Sequence, residues 1–155
     1  MEGKILILGL GNLLMGDEGI GVKSIEYMQD YPFPERVTLL DGGTGGFHLL
    51  SLFKEFERFI IIDATIGRET LGKVNVLKPK FASDFPRALT SHDIGLRDLM
   101  QSAELIGDLP EIHLVTINIT EFNEVRIGLS ETITKSLPIV YKTVQKILQE
   151  MNQRV

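Results

Sequence analysis

Short apolar runs alternate along this chain with segments whose apolar positions recur at helical spacing. The first run is Ile5-Leu6-Ile7-Leu8. It is too short to span a bilayer and suits a strand buried on both faces, read here over residues 4–10. It empties into glycines and the turn former Asn12. Beyond them, Ile20, Val22, Ile25 and Met28 trace one face of a helix. Pro32 and Pro34 stop that helix after about Gln29. Val37-Thr38-Leu39-Leu40 predicts a second strand that ends at Asp41. Phe47, Leu49, Leu50 and Phe53 predict the apolar face of a second helix. Phe59-Ile60-Ile61-Ile62 is the most continuous apolar run, so the third strand should be central and should end at Asp63.

The later pattern is more mixed. Val74 and Val76 alternate with Lys73 and Asn75, and Pro79 follows. That predicts an edge strand over residues 72–78 with one wet face, a place where antiparallel pairing fits. Residues 80–91 carry no clear period. A helix is expected over residues 94–103 with Asp93 at its N-cap, and a last strand over 112–119. Ser130 should cap a final helical region with Ile133, Leu137, Val140, Val144, Ile147 and Leu148 facing inward. Pro138 lies inside that region and should kink or split it. Alternating strands and helices predict an α/β fold, a mostly parallel sheet with helices on both faces. The length, 155 residues, predicts a single domain over residues 1–155.

Charge and cysteine content narrow the partners. A net charge of −5 argues against nucleic acid or an acidic membrane surface and permits a basic partner segment. The absence of cysteine removes disulfides, thiolate metal sites and cysteine nucleophiles together. It fits a reducing compartment. Glu2 and Lys4 flank the start and no signal-like apolar region follows, so a cytoplasmic location is expected.

The glycine-rich turn after the first strand invites a dinucleotide reading. Gly9 and Gly11 give G-x-G, but the third glycine of that fingerprint falls on Leu14. Asp17 and Glu18 also stand where a pyrophosphate would meet a helix N-terminus, and would repel it. Asp41, at the end of the second strand, matches the usual place of a ribose-binding acid. A nucleotide- or metal-binding module therefore stays open as the alternative. No G-x-S-x-G elbow and no H-E-x-x-H helix is present.

The segment GLGNLLMGDEGIG, residues 9–21, resembles the opening of the hydrogenase maturation endopeptidases. Leu40-Asp41-Gly42-Gly43-Thr44-Gly45-Gly46, Ile61-Ile62-Asp63-Ala64 and Thr90-Ser91-His92-Asp93 resemble that family's other blocks, in the same order. The resemblance implies a five-stranded, three-layer α/β sandwich. It implies an endopeptidase that removes the C-terminal extension of the large subunit of a nickel–iron hydrogenase once nickel is in place. The precursor would be its partner, and the precursor's nickel, or another divalent metal, the ion it contacts. Glu18, Asp63 and His92 match the family's metal-binding acid, aspartate and histidine. Asp41 matches a functionally sensitive aspartate near the scissile peptide, with Thr44 as an assistant.

Each of these residues also has a plain structural reading. Glu18 can complement a helix dipole, Asp63 can cap a turn, and His92 can be a loop histidine. Asp17 reads as an N-cap, a supporting group or a helper ligand, and Asp41 as the anchor of an Asx turn. His48 and His113 read as structural, with His48 kept in reserve because it lies close to the glycine loop. The sequence leaves the attacking water open: it could be metal-bound, or activated by a carboxylate base.

Overall fold

The computed structural model describes residues 3–86, 95–120 and 125–153. Five strands form one sheet: β1 (Ile5–Gly9), β2 (Val37–Asp41), β3 (Arg58–Thr65), β4 (Val74–Leu77) and β5 (Glu111–Asn118). Their order across the sheet is β2-β1-β3-β5-β4. All neighbours run parallel except β4, which pairs antiparallel with β5 at the edge. The expected central strand is central, and the expected edge strand is an edge.

The apolar runs work as two-sided strands. Ile5 and Ile7 of β1, Ile60 and Ile62 of β3, and Val115 and Ile117 of β5 face one core. There they meet α1 (Ile20–Met28) and α4 (Leu137–Gln153) through Ile20, Ile25, Met28, Val140, Val144 and Ile147. The alternate residues Leu6, Leu8, Phe59, Ile61 and Leu114 face a second core. Leu99 and Met100 of α2 (Leu96–Ile106) and Leu49 cover that side. Burying every residue of a strand requires a layer on each face, so the three-layer sandwich follows from the strand composition.

Several boundaries differ from the pattern reading. Residues Phe47–Lys54 form a 3-10 helix rather than an α-helix, and only Leu49 of it is buried. Phe47, its first residue, is exposed to solvent. β3 continues past Asp63 to Thr65, because Asp63 and Thr65 pair in register with Thr116 and Asn118 of β5. α2 starts at Leu96, with Gly95 in the cap position and no side-chain cap. Asp93, the expected cap, lies outside the described residues, as does Ile94. The final helical region is split as expected: α3 (Glu131–Thr134) ends before Pro138, which sits in the first turn of α4. Ser130 caps α3, its hydroxyl accepting from the Ile133 amide. Among the described residues no helix is long and apolar enough to cross a membrane.

Candidate active site

Three strands deliver their loops to one edge of the sheet, and backbone hydrogen bonds tie those loops together. The Leu10 amide donates to the Ile62 carbonyl at 2.9 Å, the Gly42 amide to Gly9 at 2.8 Å, and the Gly11 amide to Gly43 at 2.7 Å. In open α/β sheets this carboxyl edge is where ligands bind.

After β1, Asn12 Oδ1 accepts from the Leu14 amide at 3.0 Å and turns the chain. A single 3-10 turn, Gly16–Gly19, then leads into α1. It carries Asp17 and Glu18, which are 2% and 5% exposed, and it packs against β3. The first turn of α1 is pressed onto the same strand. A Cβ at Gly21 would lie 2.1 Å from the Leu10 carbonyl oxygen and 2.4 Å from that of Ile62. Asp63 is the residue after Ile62, and Glu18 stands three residues before Gly21. The sheet therefore brings the backbones that carry Glu18 and Asp63 to one place. Asp63 is half-buried, and its Oδ1 accepts from the Ala64 amide at 2.8 Å.

Asp41 shares this edge at a distance. Gly9 pairs with Asp41 on one side and Ile62 on the other, which sets Asp41 about two strand spacings, roughly 10 Å, from β3. It is exposed, and its Oδ1 accepts from the Gly43 amide at 2.8 Å. This is the expected Asx turn, and Gly43 occupies the left-handed region at φ 58°. Thr44 and His48 are exposed beside it. His113 is buried in β5, level with Ile60 and away from the loop edge. His92, the third expected ligand, lies outside the described residues. Among the described residues no three His, Asp or Glu side chains are placed to hold a metal ion.

Asp17 has a role the sequence did not suggest. It caps no helix; Gly19 holds the cap position of α1. Its Oδ1 accepts from the Ser130 amide at 2.7 Å and its Oδ2 from the Ser130 hydroxyl at 2.8 Å. A buried carboxylate thus clamps the chain before α3 onto the turn that carries Glu18. Hydrogen bonds to a charged group are among the stronger ones. In a double-mutant cycle, Asp17→Ala should lower stability by about 2–3 kcal/mol and couple to Ser130→Ala by about 1 kcal/mol. Urea melts of the four proteins measure this, and strict additivity would refute the clamp.

Comparison with known proteins bears on this arrangement. The sequence matches the hydrogenase maturation protease family over residues 22–149. It is 32% identical over 150 residues to the hydrogenase 2 maturation protease of Escherichia coli K12, covering 95% of this chain and 92% of that protein. It is 35% identical over 121 residues to the hydrogenase expression/formation protein HupD of Bradyrhizobium diazoefficiens, 75% of this chain. That match spans 62% of the HupD protein, under two thirds of its length. The solved structure of the hydrogenase maturating endopeptidase HybD from Escherichia coli superposes with a TM-score of 0.82 at 32% identity, covering 96% of this chain and 93% of that one.

Proposed function

The chain belongs to the hydrogenase maturation protease family, and on that footing we propose that it cleaves the C-terminal extension from a nickel-loaded hydrogenase large-subunit precursor. The observation that carries this reading is the joint delivery of Glu18 and Asp63 to one loop edge, with the 16–19 turn packed on β3. Two carboxylates and an imidazole suit a divalent ion such as nickel and leave positions for the ion's own ligands. Glu18, Asp63 and His92 are the residues that contact the precursor's nickel. Asp41, held by its Asx turn, lines the path of the scissile peptide.

Two routes to the attacking water fit these side chains. Water on the precursor's metal acquires a lowered pKa and attacks the carbonyl carbon. Alternatively, a carboxylate at this edge takes the proton as water adds. In both, the new C–O bond gives a tetrahedral adduct that collapses with cleavage of the C–N bond, and the leaving amine takes up the proton that the water gave up. The cysteine-free sequence is compatible with action in the cytoplasm.

The test incubates the protein with nickel-loaded and nickel-free precursor and reads intact masses. Loss of one C-terminal fragment from the loaded form alone is expected. An uncut precursor, together with adenine nucleotide on the purified protein, would favour the binding-module reading instead.

Two histidine variants separate recognition from folding. His92→Ala should cut nickel-dependent processing about tenfold or more, since three ligands become two. His113→Ala should leave processing intact and lower the melting temperature, because that ring is buried in β5. Wild-type processing by His92→Ala would remove His92 from the site.

A further inference from the structure

Beside the Glu18 turn lies a strip of chain that the site chemistry does not use. The Arg126 amide donates to the Leu14 carbonyl at 2.8 Å, and the Gly16 amide donates to the Arg126 carbonyl at 2.7 Å. Met15 and Arg126 form a parallel bridge. In an extended strand the backbone groups of successive residues point to opposite sides. Arg126 spends its amide and carbonyl on the 14–16 turn, and the Val125 carbonyl and the Ile127 amide, trans to them across the flanking peptide bonds, face away. The Ile127 amide donates to no carbonyl among the described residues.

The side chains on this strip are aliphatic and in water. Val125 is 75% exposed and Ile127 81%, and Leu13 and Leu14 across the bridge are exposed too. The Asx turn at Asn12 and the clamp from Asp17 to Ser130 fix both sides of the bridge in place. An exposed aliphatic strand edge is an aggregation hazard unless something pairs with it.

We propose that residues 125–127, with Leu13 and Leu14, form an edge on which the precursor segment leading to the scissile bond lies as an added β-strand. The proposal rests on the peptidase reading above. Main-chain groups facing outward select an extended partner, and the four aliphatic side chains select apolar residues at alternate positions of it. Gly16, hydrogen-bonded to Arg126, lies two residues from Glu18. A strand on this edge is thereby led past the site carboxylates, and its docking is separate from contact with nickel.

The test compares wild type, the double variant Leu14→Ser/Ile127→Ser, and Leu105→Ser. Leu105 is 89% exposed at the far end of α2 and serves as the control. With nickel-loaded precursor, the double variant should raise KM about tenfold or more and leave kcat within twofold, since two aliphatic contacts are lost. Leu105→Ser should match wild type. Saturating precursor should slow amide hydrogen exchange at Ile127. Wild-type cleavage without that protection, or an unchanged KM in the double variant, overturns the edge and leaves the peptidase reading standing. Protection without cleavage keeps the edge and defeats the peptidase reading. Protection that appears with protein concentration alone, without precursor, means that a second copy pairs there, and also overturns the proposal.

Discussion

Glu18→Gln should leave the protein folded and reduce precursor processing at least about 100-fold. Glu18 is 5% exposed in the single turn between Asn12 and α1. Glutamine keeps its length and shape, so the packing of that turn on β3 survives. The substitution removes the negative charge, and with it a strong oxygen ligand and a proton acceptor. Both routes to the attacking water need one of these. Asp63→Asn makes the same change on the other side of the corner and should act in the same direction. On the proposed reading both residues serve one ion, so the two losses should not add. The measurements are thermal melting and the rate of fragment release from nickel-loaded precursor. Processing by Glu18→Gln within threefold of wild type would remove Glu18 from the chemistry.

Much of the sheet was legible because its strands are apolar on both sides. A run such as Ile60-Ile61-Ile62 has one place to go in a chain of this size, the middle of a covered sheet. The end of β3 was less legible. It finishes with the polar Asp63 and Thr65, whose pairing with Thr116 and Asn118 of β5 is a backbone matter that hydrophobic patterning does not register. The segment at Phe47–Lys54 misled for a related reason. Its apolar spacing fits a period of 3.6, but the chain adopts the tighter turn after the glycine loop.

The site divides the same way. The placement of Glu18 and Asp63 at one sheet edge was legible because Glu18 follows β1 and Asp63 lies near the carboxyl end of the neighbouring parallel strand β3. The Asp17–Ser130 clamp was not, since its partners are 113 residues apart and neither looks unusual in its own neighbourhood. Glycine spacing held a signal in the wrong register. The dinucleotide pattern asked for a glycine at position 14, where Leu14 stands in solvent. The close approach that such a glycine permits is made instead by Gly21, seven residues later, after the chain has placed two acids in the intervening turn.

Gly21→Ala should therefore be the most damaging small substitution in the protein, costing more than about 3 kcal/mol. The reason is steric rather than torsional. Gly21 lies in α1 with an ordinary backbone, but its Cβ would fall 2.1 Å from the Leu10 oxygen, 2.4 Å from the Ile62 oxygen and 2.8 Å from the Leu10 nitrogen. All three are backbone atoms at the ends of β1 and β3, and no side chain can swing aside to make room. The contact is reciprocal, for a Cβ at Gly9 would lie 2.3 Å from the Gly21 oxygen. Relief requires α1 to lift off the sheet, which uncovers Ile20 and Ile25 and carries the Glu18 turn away from Asp63. A loss of this size is a large share of the 5–15 kcal/mol that holds a typical domain together. Gly43→Ala is the matched comparison. Gly43 has φ 58° and open space around its Cα, so alanine there should cost only about 1 kcal/mol of backbone strain. Urea denaturation of both variants decides the matter. If Gly21→Ala is no less stable than Gly43→Ala, close packing of α1 on β1 and β3 is not what holds the Glu18 turn in place.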